Sequence, residues 1–282
     1  MSSSAKTSLI IGGDSAIGAA LAARLGAHGI KPHVTSRREG AEIRLDLAES
    51  PEHWPALPPA DTAYFCAAAT GLETCENDPD ATSRINVTHM QALAAKLLAQ
   101  GTYVVFLSTN QVFDGETPHR RADEPVSPRN EYGRQKAAFE HWLLAQNRPA
   151  AVLRLTKVIA APLPMLAKWN TALAQGESIE AFDDLVFAPL PLASVLDALD
   201  LLGSQKPRGV FQLSGPRDVA YYEIAQHLAQ KLTIPSSRVL RGSATKAGIQ
   251  PQFLPRHGTL ATSTLFKGIS IAEPFETLGL KP

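Results

Sequence analysis

Two rhythms of apolar residues alternate along the first half of the chain. Residues 7–11 form a short β-branched run, and from Ala16 an Ala/Leu-rich stretch puts Ile17, Leu21 and Leu25 on one stripe at helical spacing. Short extended runs recur at 33–35, 42–45 and 62–66. Residues 81–100 carry a helical stripe through Ile85, Met90, Leu93 and Leu97. Residues 103–107 are continuously apolar, as a strand buried on both faces should be. Residues 131–146 read as helix and 151–155 as strand. Such alternation predicts an α/β fold, a doubly wound parallel sheet with right-handed crossovers and helices on both faces.

The rhythm changes after Pro162. Prolines cluster at Pro162, Pro164, Pro189 and Pro191, and helical stretches at 166–175 and 192–202 are separated by irregular chain. Residues 209–213 read as a late strand. Residues 218–232 read as a helix capped by Asp218, with Ile224, Leu228 and Leu232 on one face. Residues 243–257 form a Gly/Pro/basic loop. The pattern predicts one domain over residues 1–162, rejoined by the late strand at 209–214, and a smaller C-terminal lobe over 163–282.

Composition narrows the class. In 282 residues, 27 Lys+Arg balance 27 Asp+Glu, so the formal net charge is zero. That balance argues against a nucleic-acid partner or a membrane-surface partner, both of which want a basic excess. Cys66 and Cys75, the 2 cysteines, form no CxxC and no disulfide framework, which suits a reducing cytoplasm. No apolar run approaches the roughly 18 residues of a membrane span. Gly12, Gly13, Asp14 and Gly18 break the N-terminal apolar stretch and spoil it as a signal peptide. The 8 histidines show no metal-ligand spacing, so no metal is expected. His119-Arg120-Arg121 reads as a solvated turn, and Met165 and Trp169 read as core.

Three motifs carry chemistry. Ile10-Ile11-Gly12-Gly13-Asp14-Ser15-Ala16-Ile17-Gly18 lies where the first strand turns into the first helix. Glycines there permit a tight turn and let a pyrophosphate approach the free N–H groups of the helix N-terminus. At the end of the second strand, Ser36-Arg37-Arg38 follows Thr35 with no acid to hold a ribose 2′-hydroxyl, while arginine suits a 2′-phosphate. NADP(H) is therefore favoured over NAD(H) as cofactor. Asp46 could accept from an adenine amino group or simply cap the turn that begins at Leu47. Tyr132 and Lys136 stand four apart, on one helix face. A nearby ammonium favours phenolate, which would lower the tyrosine's ordinary value near 10 and make it a usable acid/base. The preceding strand ends with hydroxyls at Ser108 and Thr109, at the carboxyl edge where ligands of such sheets bind.

Together these stretches resemble an extended short-chain dehydrogenase/reductase of the dTDP-4-dehydrorhamnose reductase-like, sugar-nucleotide-binding family. The matching residues are the glycine turn at 12–18, Ala67-Ala68-Ala69, Asn86-Val87, Ser108-Thr109, Val112-Phe113-Asp114-Gly115, Tyr132 with Lys136, and Val152-Leu153-Arg154. Phe211-Gln212-Leu213-Ser214-Gly215 and Pro255-Arg256 continue the match toward the C-terminus. The resemblance implies a Rossmann domain with a C-terminal substrate lobe. It also implies hydride transfer from NADPH to a nucleotide-linked keto sugar.

In such an enzyme Thr109 would hydrogen-bond the substrate oxygen, Tyr132 would pass it a proton, and Lys136 would hold the nicotinamide ribose. Gly12, Ser15, Ala16, Ile17 and Gly18 would line the pyrophosphate. Ser36, Arg37, Arg38, Asp46 and Leu47 would meet the adenosine end. Ala67, Ala68, Ala69 and Asn86 would run beside the ribose. Asn110, Gln111 and Val112 would join Thr109 at the substrate, and Arg256 would contact a substrate phosphate. A homodimer is compatible with the sequence.

The chain departs from the family at several positions. Ser15 replaces the middle glycine. Asn110-Gln111 stands where the rhamnose reductases usually have Asp and Tyr, and His257 stands where a second proline is usual. Ala188-Pro189-Leu190 replaces the family's Pro-Thr segment. A 4,6-dehydratase is disfavoured because no acid follows Thr109. An NAD-dependent epimerase is opposed by Arg37-Arg38. A regulatory NADP-binding protein, resembling the methionine adenosyltransferase β subunit, would suit kept cofactor residues beside drifted substrate residues.

Overall fold

A computed structural model describes residues 7–281. These form two compact units, one from residues 7–112, 130–154 and 196–211, the other from 113–129, 155–195 and 212–281. The first is built on β1 (Thr7–Ile11), β2 (Lys31–Ser36), β3 (Ile43–Arg44), β4 (Thr62–Phe65), β5 (Tyr103–Thr109) and β6 (Ala150–Leu155). With the late strand Gly209–Leu213 they make a seven-stranded parallel sheet, ordered late strand, β6, β5, β4, β1, β2, β3. Leu9 of β1 stands between His33 of β2 and Ala63 of β4. The order reverses outward from β1, which opens a crevice at its carboxyl end.

Every residue of β4, β5 and β6 is buried. Helices α1 (Ala16–Ala27), α2 (Leu72–Asn77), α3 (Pro79–Ser83), α4 (Met90–Ala99) and α5 (Glu131–Ala145) accompany them. Phe106 and Phe139 meet with ring centroids 4.3 Å apart, among Leu93, Leu97, Val104 and Val152. One ion pair interrupts this apolar layer. Arg154 Nη2 lies 2.6 Å from Glu140 Oε2, with side-chain exposures of 4% and 3%. Ser108 Oγ donates to Glu140 Oε1 as well. Parallel contacts of this kind offset the desolvation of two charges.

The stripe at 81–100 is not one regular helix. Asp78 caps α3 by accepting from Ala81 N at 3.1 Å, a π-helical turn follows over Arg84–His89, and α4 begins at Met90. Such turns keep a helix continuous while changing the phase of its side chains. Strand β5 runs two residues beyond the apolar run, so Thr109 closes it.

The second unit packs Leu166, Leu173, Ile179, Ile224, Leu228, Val239 and Leu278 together. Three two-stranded pairs frame it: Lys157–Ile159 with Pro189–Pro191, Val186–Phe187 with Val219–Ala220, and Ile179–Phe182 with Val239–Gly242. Asp218 does not cap the following helix. That helix, Tyr221–Lys231, starts from Ala220 without a side-chain cap. The Asp218 carboxylate instead accepts from Gly258 N at 2.8 Å and Thr259 Oγ1 at 3.3 Å, and stands 3.4 Å from His257 Nδ1. A tertiary partner has displaced the local one. Among the described residues no helix is long and apolar enough to cross a membrane.

Candidate functional site

The β1–α1 turn is shaped by contacts only glycine permits. Gly12 has φ +91°, and a Cβ there would stand 2.6 Å from the Ala67 Cβ at the end of β4. A Cβ on Gly18 would meet the Gly12 carbonyl oxygen at 2.4 Å, so this glycine lets α1 pack against the turn. Ser15, in the place of the middle glycine, has an ordinary φ of −73°. Its Oγ accepts from Gly18 N at 3.0 Å and donates to the Gly12 carbonyl at 2.8 Å. Serine thus fits where no left-handed backbone is needed, and it caps α1. Ala16 and Ile17 begin the helix, whose first turn carries no acid, so its dipole favours an anion.

Strand β2 grips the turn. Gly12 N donates to Thr35 Oγ1 at 3.1 Å and Gly13 N to the Thr35 carbonyl at 2.8 Å. A cavity of about 360 Å³ opens beside it, lined by Gly12, Asp14, Ser15, Thr35, Arg37, Asp46, Leu47, Cys66, Ala67, Ala68 and Ala69 among others. Of the residues expected at a cofactor, eight reach this lining. Gly18 lies behind the turn. Ser36 Oγ is bonded to the Asp14 carboxylate, and exposed Arg38 sits with Nε 3.5 Å from Asp14 Oδ1. Asp46 Oδ1 accepts from Ala48 N at 2.9 Å, the turn-capping geometry, while still lining the cavity. Burial pushes the Cys66 thiol up to about 12, which leaves it protonated and unreactive.

Asn86 sits in the π-helical turn, buried. Its side chain pairs with both backbone groups of Ala69, at 2.8 and 2.9 Å, and donates to Gln135 Oε1 at 2.8 Å. Gln135 Nε2 in turn donates to Thr82 Oγ1 at 2.9 Å and Glu131 Oε1 at 3.1 Å. This network ties the cavity wall to α5 between Tyr132 and Lys136. Asp14, Thr35 and Gln135 were not singled out from sequence. Only the acid inside a glycine turn was a visible oddity.

Helix α5 is capped by Asn130, whose Oδ1 accepts from Gly133 N at 2.8 Å while its Nδ2 donates to Gln111 Oε1 at 2.8 Å. Gln111 therefore braces the helix that carries Tyr132. Lys136 Nζ donates to the Leu107 carbonyl at 2.8 Å and lies 4.4 Å from the Phe106 ring centroid and 5.8 Å from that of Tyr132. Burial brings Lys136 down to about 8, against the opposing pull of Glu140. Burial also pushes Tyr132 up, with Cys75 adding to it, so the expected depression by the lysine is not seen. Thr109 Oγ1 accepts from Gln111 N at 3.1 Å and faces Asn110 Oδ1 at 3.4 Å. Val112 is fully buried.

In the second unit, Arg256 is 79% exposed and stands 3.4 Å from Glu116 Oε2. Arg120 is not part of a solvated turn. It stacks on Phe113 at 4.6 Å, reaches Glu124 at 2.6 Å and donates to the Pro125 carbonyl at 2.8 Å. Among the described residues no group of three or more His, Cys, Asp or Glu could hold a metal ion.

Residues 6–276 match the family model described as the RmlD substrate binding domain. The chain belongs to this family. It is 28% identical over 235 residues to methionine adenosyltransferase 2 subunit beta of Pongo abelii, covering 77% of this chain and 67% of that protein. It is 27% identical over 234 residues to dTDP-4-dehydrorhamnose reductase of Streptomyces griseus, covering 80% and 74%. The dTDP-4-dehydrorhamnose reductase of Bacillus anthracis, solved in complex with NADP, superposes with a TM-score of 0.80 at 17% identity, covering 98% of each chain. That likeness shows the same fold.

Proposed function

We propose that this RmlD-family chain is an NADPH-dependent reductase of a nucleotide-linked keto sugar. The observation that carries the reading is α5: Tyr132 and Lys136 share a face, with Lys136 Nζ held on the Leu107 carbonyl two residues before Thr109. The cavity beside the glycine turn suits a dinucleotide, since Gly12 leaves backbone where any Cβ would intrude and the first turn of α1 carries no acid.

In this reading Gly12, Ser15 and the first turn of α1 hold the pyrophosphate, Ala67 to Ala69 flank the ribose, and Arg37 meets the 2′-phosphate. The nicotinamide supplies the hydride. Tyr132 gives its phenolic proton to the carbonyl oxygen as the carbon is reduced, and Thr109 Oγ1 hydrogen-bonds the same oxygen. The product is an alcohol, and the tyrosine recovers its proton from solvent. A tyrosine pushed up in this way stays protonated at neutral pH, as a donor must, and the Lys136 ammonium steadies the phenolate that follows. Arg256 is proposed to read a substrate phosphate.

Oxidation of NADPH in the presence of a panel of nucleotide-linked 4-keto sugars tests the reading. Turnover with at least one is expected, and none with any would overturn it. One observation favours a second reading, the 28% identity to the methionine adenosyltransferase β subunit. In that case the chain binds a dinucleotide without turning it over, so tight NADPH binding without oxidation of any panel member selects it.

A further inference from the structure

The end of β2 lacks an acid, yet the cavity rim holds one. Asp14, the third residue of the glycine turn, lines the same cavity as Arg37. Its two carboxylate oxygens accept from Ser36 Oγ at 2.8 and 2.7 Å, and Oδ1 lies 3.5 Å from Arg38 Nε. Ser36 Oγ is further engaged by Arg38 N at 3.0 Å. Ser36 and Arg38, both expected to serve a 2′-phosphate, are thus committed to a carboxylate. Arg37, exposed and facing the cavity, has no such commitment in the ion pairs of this rim. Among the described residues, the charged side chains lining the cavity are Asp14, Asp46 and Arg37, which is one cation against two acids.

We propose that Asp14 is a specificity-determining residue that holds down the affinity for a 2′-phosphate. The proposal rests on a dinucleotide occupying this cavity with its adenosine end at β2. A phosphomonoester carries close to two negative charges at neutral pH, whereas a ribose 2′-hydroxyl carries none. A carboxylate at the rim therefore repels the 2′-phosphorylated form more than the unphosphorylated one, whose other phosphates the two share, and it also pairs with Arg38. It accepts hydrogen bonds as well, so it is compatible with an unphosphorylated ribose. Selection at this site is a contest between Asp14, in the turn after β1, and Arg37, just past the end of β2, both on one rim.

The test is calorimetric binding of 2′,5′-ADP and of 5′-AMP to the full chain and to its Asp14→Asn variant. Asparagine keeps an acceptor for Ser36 and removes the charge. The ratio of the two affinities should shift toward 2′,5′-ADP by about tenfold, through tighter 2′,5′-ADP binding, with 5′-AMP changed less than about twofold. Asp14→Ala must move the ratio in the same direction, which guards against a local defect in either variant. An unmoved ratio, or an equal gain for both nucleotides, overturns the role of Asp14. Failure of the unaltered chain to bind either nucleotide would instead overturn the dinucleotide reading, and this proposal with it. The ratio for the unaltered chain separately reports whether NADP(H) is preferred.

Discussion

Lys136 Nζ is anchored to the Leu107 carbonyl by a 2.8 Å hydrogen bond, so the ammonium is fixed to β5 independently of Tyr132. Carbonyl and ammonium are both buried, and burial brings the lysine from its ordinary 10.5 to about 8. Between those values the unfolded chain keeps a proton that the folded chain has released. At this group the unfolded state therefore binds more protons, and the lysine's own contribution to stability rises with pH, by up to roughly 1.4 kcal/mol per unit. Lys136→Met should flatten that rise. Urea unfolding of both chains from about pH 7.5 to about 9.5, below the range where buried tyrosines ionise, gives the comparison. Parallel profiles would contradict the assignment.

Tyr132→Phe removes the proposed proton donor and leaves the ring in place. Turnover should fall by roughly 10²- to 10⁴-fold, while NADPH binding changes little. Steady-state oxidation and a fluorescence titration read the two quantities separately. Undiminished turnover refutes the role.

Arg37→Ala should weaken NADPH binding by about tenfold or more and leave NADH within about twofold, because only the former has a 2′-phosphate to lose. Titration with each dinucleotide decides it. Equal losses would mean that Arg37 supports the loop rather than the phosphate.

Glu140→Gln removes the carboxylate charge that faces the buried Arg154 guanidinium, whose side chain is 4% exposed. A loss of about 3–5 kcal/mol is expected by urea unfolding. Changing both partners to apolar residues, Glu140→Leu with Arg154→Met, should recover most of it.

Ser15→Ala deletes the cap on α1 and should cost about 1 kcal/mol, whereas Ser15→Gly should cost only a few tenths. Thermal or urea unfolding of the pair tests whether the serine is a cap or a leftover. If alanine matches the native stability, the cap contributes nothing.

Much of the candidate site's geometry could be read along the chain, because its signals are local. The glycine turn, the four-residue step from Tyr132 to Lys136, and the hydroxyls ending β5 all lie within one or two elements. Period-2 alternation says that Ser108 and Thr109 face opposite ways, but the sheet decides which way. Ser108 goes to Glu140, and Thr109 stays at the strand end beside Gln111. The helix at 81–100 was visible through its stripe, while the π-helical turn that buries Asn86 was not.

By itself the sequence determined the doubly wound order of strands and helices, the glycine turn and the Tyr–Lys pair. Burial periodicity and glycine geometry act over a few residues and need no partner. Tertiary structure alone decided the pairing of Asp14 with Ser36, the bridge from Ala69 through Asn86 to Gln135, and the use of Asp218 against residues 257–259. A polar side chain takes whichever partner folding brings within about 3 Å, and that partner is 22, 17 or 40 residues away here.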